Sequence, residues 1–381
     1  MKHTHDAVVV AVTIAASAFT HLFVIAGTSQ AQWSVTRLHP LGSPPEASHS
    51  SHAYSVNGGL QAGDAEGHAS IWSGSAVSLV DLNPSGALSS VAFGTSGGQQ
   101  VGRAWLLNPS NDATPHASLW SGSAASWIDL NPAGWDWGSA FGVDGGQQVG
   151  RVSVGGPGGA HASLWTGTAA SWIDLNPPDA TTSEASAVGG GQQVGGAAGP
   201  WSGGVPHASL WNGTAASWID LDPGGASSLG SWAYGVGDGQ QVGYATVGGL
   251  HAALWSGTAA SWIDLNPLGA LGSVANDVSG GMQVGYANFA GIERAGVWGG
   301  TAASWIDLHA FLPAGFSASY AQGIWSDADH VYVSGYGRDA ASGIEEALLW
   351  TLPIPAPTGG GVILLAGLIA GRRSRQGTHC V

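Results

Sequence analysis

SWAYGVGDGQQVGYATVGGLHAALWSGTAASWIDLNP, residues 231–267, contains four short segments, 232–236, 240–245, 251–255 and 261–265, separated by turns rich in glycine. Asp238-Gly239 and Gly248-Gly249 are hairpin signals, and each segment has the length of a strand. In the third segment Ala252 and Leu254 project to one side while Ala253 and Trp255 project to the other. Both faces are therefore apolar and both need cover. A four-stranded antiparallel sheet with two buried faces is a propeller blade.

The third segment recurs along the chain. His-Ala-x-Leu-Trp and its variants end at Trp72, Trp120, Trp165, Trp211, Trp255, Trp298 and Trp350, at intervals of 48, 45, 46, 44, 43 and 52 residues. A period of that length indicates a repeat architecture. The last copy, Tyr320 to Trp350, lacks a segment of the Trp-Ile-Asp-Leu-Asn-Pro type, while Trp33-Ser-Val-Thr-Arg-Leu-His-Pro40 supplies one alone. Leu38 and Pro40 fall in register with that segment, and Arg37 takes the Asp position. The reading is all-β: a seven-bladed β-propeller of four-stranded antiparallel blades over residues 32–352, closed by the N-terminal strand pairing into the last blade. Closure of this kind removes the two sheet edges that would otherwise invite aggregation.

The His-Ala-x-Leu-Trp strand, the Asp-Leu strand and the turn before Gln-Val-Gly make residues 33 to 352 similar to the HAF family of extracellular bacterial repeats. That resemblance implies a secreted, propeller-like body with no reaction attached to it.

The ends read as addresses. An apolar run from Ala7 to Gly27 follows Lys2 and precedes Ser29-Gln30-Ala31, which fits a signal peptide over residues 1–31, with an uncleaved anchor as the alternative. Residues 353–381 hold Pro355-Ala356-Pro357, an apolar stretch from Val362 to Ala370 and Arg372-Arg373-Ser374-Arg375. This tail resembles the PEP-CTERM sorting signal and implies exosortase-type sorting machinery as a partner; an ordinary C-terminal anchor is the alternative. Arginines beyond an apolar segment mark its cytoplasmic end. Both readings place the body at the cell surface or outside the cell, with membrane contact only through the terminal segments.

Composition narrows the function classes. Lys and Arg number 9 against 24 Asp and Glu, for a net charge of −15, which disfavours a nucleic-acid partner. The single cysteine, Cys380, lies in the tail, so the body has no disulfide and no thiol nucleophile. No zinc-protease helix or phosphate-binding loop is present. No catalytic residue and no cofactor are assigned.

His68, His116, His161, His207 and His251 sit at equivalent positions in successive blades. Packed sheets stand about 10 Å apart, too far for these rings to share one ion, so they read as scaffold and no metal site is assigned. The repeated Asp81, Asp129, Asp174, Asp220, Asp264 and Asp307 can accept backbone N–H bonds in the turn before Asn-Pro. Asp327-Ala328-Asp329 could offer calcium hard oxygen ligands, but the full ligand loop is missing.

Function is expected where the repeat breaks. Seven third-strand tryptophans and Trp127, Trp172, Trp218, Trp262 and Trp305 of the fourth segment read as core. Trp105, Trp135, Trp137, Trp201 and Trp232 lie outside the repeat, in or beside loops of one propeller face. They form the candidate ligand-binding set, for an extracellular polysaccharide or a surface protein; rings folded back into the loops are the alternative. The first-strand positions Tyr54, Phe93, Phe141, Ser186, Tyr234, Asn276 and Gln322 are expected to ring the central channel. The favoured function is a non-catalytic binding or structural module of the cell envelope or extracellular matrix. The runner-up is a polysaccharide-active enzyme using carboxylates on the loop face.

Overall fold

The computed structural model describes residues 32–40, 50–153, 159–224 and 228–355. The proposed signal peptide and the tail from residue 356 lie outside them. Seven four-stranded antiparallel sheets form, and no α-helix occurs among the described residues. Six blades follow the chain directly, from Ser51–Asp81 through Gly272–Asp307. The seventh combines Phe316–Ser326, His330–Asp339 and Glu345–Pro353 with the N-terminal strand Ser34–Arg37. In that pairing Ser34 faces Thr351 and Arg37 faces Leu348.

Seven core clusters fill the seven interfaces between blades. In each, the third-strand tryptophan of one blade inserts against the preceding blade: Trp255 packs with Val194, Ala208 and Leu210, and Trp72 packs with Ala347 and Leu349 of the closing blade. All seven of these tryptophans are fully buried. The alternation read from residues 251–255 holds, since Ala252 and Leu254 lie in the next interface with Trp298.

Polar links repeat with the same fidelity. The second-strand Gln148 is buried; its Oε1 accepts from the Gly167 amide at 2.6 Å, and its Nε2 donates to Gln99 of the previous blade at 3.2 Å. The same handover joins Gln193 to Gln147, Gln241 to Gln192 and Gln283 to Gln240. On the other face the Ser90 hydroxyl donates to Asn83 and accepts from the Ala69 amide, tying the third strand to the next blade's first; between the second and third blades Gly138 replaces the serine and Asn131 accepts the Ala117 amide directly. The closing blade reproduces this link with His39, Ser51 and the Ala347 amide, and Leu38 donates to the Ala347 carbonyl as Leu82 does to Ala69.

The fourth segment differs from its sequence reading. The strand is only two residues long, Ile263–Asp264 in the fifth blade, because a 3₁₀ turn, Ala259–Ser261, uses the residues before it. Trp127, Trp172, Trp218, Trp262 and Trp305 therefore lie just ahead of a short outer strand and are half-buried, not core. Their indoles cover the outer edge, where Trp127, Trp172 and Trp218 each donate to the third-strand serine at 2.9 Å.

The repeated histidines are scaffold groups. Each donates through Nδ1–H to the fourth-strand aspartate, as in His116–Asp129 at 2.7 Å and His207–Asp220 at 2.9 Å. The aspartate's other oxygen accepts the turn amide two residues on, for example Asn131 at 2.9 Å. Arg294–Asp307 replaces the pair in the sixth blade, and Glu346–Arg37 inverts it in the seventh.

Candidate functional site

The innermost strand of every blade carries a β-bulge at an equivalent position, and that of the seventh blade has a second between Phe316 and Ala318. Ladder pairing skips Tyr54, Phe93, Phe141, Ser186, Tyr234, Asn276 and Gln322, the positions assigned to the channel. A bulge adds one residue and re-aims a side chain. It lets Ala140 and Val143, three residues apart, bury against the same neighbour while Phe141 turns inward. All seven bulge residues line a central channel of about 830 Å³.

The bulge also explains the glycine of Gln-Val-Gly. It sits opposite the residue before the bulge, and the carbonyl of the residue preceding that one would be 1.8–2.0 Å from any Cβ at Gly63, Gly102, Gly150, Gly195, Gly243, Gly285 or Gly335. The next residue along the second strand is free to vary, and it does: Asp64, Arg103, Arg151, Gly196, Tyr244, Tyr286 and Tyr336. Paired across from them are His52, Val91, Ser139, Glu184, Trp232, Val274 and Tyr320. These positions crown the channel at the face that carries the blade-to-blade and second-to-third connections.

Aromatic rings run around this mouth. Phe141 to Phe93 is 5.4 Å between centroids, Phe93 to Tyr54 is 5.6 Å, Tyr54 to Tyr336 is 6.5 Å, Tyr336 to Tyr320 is 4.9 Å and Tyr320 to Tyr286 is 5.1 Å. Tyr234 and Tyr244, 5.9 Å apart, continue it on the fifth blade. Six of the chain's seven tyrosines are here. Burial pushes Tyr320 up to about 12 and raises Tyr54, Tyr234, Tyr244, Tyr286 and Tyr336 as well, so every phenol stays neutral and able to donate.

Two arcs of the mouth carry ion pairs. Where the first and seventh blades meet, His52 bridges Asp64 at 3.0 Å and Glu345 at 2.9 Å, and Arg338 binds Glu345 at 2.8 Å. Burial alone would lower the His52 pKa, but the hydrogen bonds with Asp64 and Glu345 outweigh it and raise it. Across the mouth, Arg151 pairs with Glu184 at 2.7 Å, and burial raises the Glu184 pKa against the pull of Arg151.

The five candidate tryptophans are all half-buried, and they do not gather in one place. Trp232 leans over Gly196 in the mouth and donates to Ser186 at 2.8 Å. Trp105 stacks on Arg103 at 4.3 Å, and Trp137 lines a small cavity with Arg103 and Arg151. Trp135 and Trp201 fold outward instead, onto Trp172 at 5.2 Å and Trp218 at 4.8 Å. At the opposite end of the inner strands, Asp327 uses one oxygen to accept the Asp329 and His330 amides at 2.8 and 2.7 Å.

Sequence reading placed Tyr54 and Tyr234 in the channel but missed Arg103, Arg151, Tyr244, Tyr286, Tyr320, Tyr336, His52 and Glu184. The available signal was the slot after Gln-Val-Gly, which changes chemistry from copy to copy inside a constant frame.

No family model matches the sequence, and no curated protein matches it. The fold is shared with solved structures. A prolyl endopeptidase is 13% identical with a TM-score of 0.52, over 81% of this chain and 51% of its own. A puromycin hydrolase is 11% identical with a TM-score of 0.49, over 80% of this chain and 57% of its own. The β-propeller domain of the Trilobed protease from Pyrococcus furiosus is 9% identical with a TM-score of 0.49, over 79% and 93%. The chain spans little more than half the length of the first two structures, and at such identity the likeness to the prolyl endopeptidase establishes the propeller fold alone.

Proposed function

We propose that the chain is an exported, non-catalytic binding module of the cell surface or extracellular matrix, which holds a glycan at the tyrosine-lined mouth of its channel. The observation that carries this reading is the gathering of six of the seven tyrosines at one mouth. Neutral phenols on a rigid frame offer flat apolar faces and hydroxyl donors together, which suits the alternating faces and hydroxyls of a sugar. Export is supported by the terminal segments and by the resemblance to HAF repeats and to a PEP-CTERM tail, which also supports handling by an exosortase-type machinery. A surface protein is the other partner class such a mouth could take.

A glycan array probed with the purified protein tests the proposal. Binding without release of reducing ends is expected, and Tyr286→Ala and Tyr336→Ala should each weaken it about tenfold. Absence of any glycan binding, or binding indifferent to both variants, would overturn it. One observation favours the polysaccharide-active alternative: Glu184 has a raised pKa, as a general acid needs. Reducing-end release that disappears in Glu184→Gln would establish that alternative.

A further inference from the structure

The structure assigns Arg103 as an anion-binding residue, and we infer that the glycan held at this mouth carries carboxylates, as uronic acid residues do. The inference rests on the reading of the mouth as a glycan site and narrows its ligand.

Four of the five described arginines have a carboxylate partner: Arg37 with Glu346, Arg151 with Glu184, Arg294 with Asp307 and Arg338 with Glu345. Arg103 has none, although acidic residues outnumber basic ones 24 to 9 in the chain. Its guanidinium carbon lies over the ring of Trp105, 4.3 Å from the centroid, and over that of Phe93, 5.2 Å from the centroid, and its Nε is buried without a hydrogen-bond partner. Arg151 stands close enough to repel it, and the single carboxylate nearby, Glu184, is already bonded to Arg151. Two guanidinium groups thus share one negative charge in a partly desolvated setting, where an unpaired cation is costly.

The surroundings indicate what would complete the site. Two aromatic planes fix the guanidinium so that its remaining N–H groups form a planar fork, a match for a carboxylate. Arg103, Arg151 and Trp137 line one small cavity with the buried residues Ser139 and Ser153. Indole faces beside a cationic fork suit a pyranose ring bearing a carboxylate better than a free inorganic anion, which has no face to stack.

The probes are an oligogalacturonate, its methyl ester and a neutral β-glucan oligomer, titrated against the whole protein by calorimetry. The acid should bind about tenfold more tightly than the ester, the scale of one charge-assisted hydrogen-bonded pair. Arg103→Gln should reduce the acid to the affinity of the ester and leave the ester within about twofold, while Arg103→Lys should recover part of the preference. Melting curves of both variants establish that they fold. Equal binding of acid and ester, or equal weakening of both by Arg103→Gln, would overturn the inference and leave the glycan reading standing. Binding by none of the three probes would remove the support for both. A sulfated glycan that outbinds the uronate in an Arg103-dependent way would overturn the carboxylate assignment.

Discussion

At the scale of single residues, the repeat supplies its own controls. Trp127, Trp172 and Trp218 each donate to a third-strand serine, but the fifth blade has Ala253 at that position, and the Trp262 indole N–H is buried without a partner. Ala253→Ser is expected to raise unfolding stability by about 1 kcal/mol, read from denaturant midpoints. Asp277 makes a second case. It accepts the Val278 and Ile324 amides, yet full burial pushes its pKa up to about 6. The folded state therefore favours the protonated form, so the stability this group contributes is complete below the unfolded value of 3.8 and is lost as pH rises through about 6. Relative to Asp277→Asn, the wild type should lose about 3 kcal/mol between pH 3 and pH 7, on the linkage of 1.36 kcal/mol per pKa unit. A stability difference that stays flat with pH would show that Asp277 titrates normally. Neither residue stood out in the sequence: a missing partner and a desolvated carboxyl depend on what lies across the interface.

At the scale of elements, the first three strands of each blade were legible because period-two alternation and glycine turns are local signals. The fourth was read too long, since Ser-Trp-Ile-Asp-Leu has the length and apolar content of a strand while its first residue closes a 3₁₀ turn. The bulge was legible in principle. Buried residues spaced by three, Ala53 with Val56 and Ala233 with Val236, break the period of two in a way that only an extra residue allows. Missing it hid the rings of the mouth, because the bulge decides which side chain enters the channel. It also sets a strict demand on the opposing glycine. Gly150→Ala would bring a methyl group to 1.9 Å from the Ser139 carbonyl, and a loss of about 3 kcal/mol is expected in chemical unfolding. The same substitution at Gly146, a turn glycine with φ near +80° and open space around it, should cost about 1 kcal/mol through its backbone conformation alone.

At the scale of the whole molecule, closure was the most informative inference from sequence, and it rested on eight residues, Trp33 to Pro40. The inverted pair of the seventh blade shows how these residues are matched to their place: Glu346 stands where the first five blades have histidine, and Arg37 where they have aspartate. Arg37→Asp alone sets two carboxylates against each other and should destabilise the protein by about 2 kcal/mol. Adding Glu346→His restores the pair used in the first five blades and should recover most of that loss, so a double-mutant cycle in thermal unfolding reads the coupling directly. If the double variant is no more stable than the single one, the pair does not support closure.

The antiparallel match of Ser34 to Thr351 has a mechanical consequence. Tension applied between the two ends of the described body would act across the hydrogen bonds of this one strand pair, beginning at Ser34 and Thr351 and breaking them one after another, as a zipper opens. Strands loaded along their length would share the force among all their bonds; these do not. The ring should therefore give way at its clasp under a modest pull, while the other six sheets remain folded and the released ends gain reach.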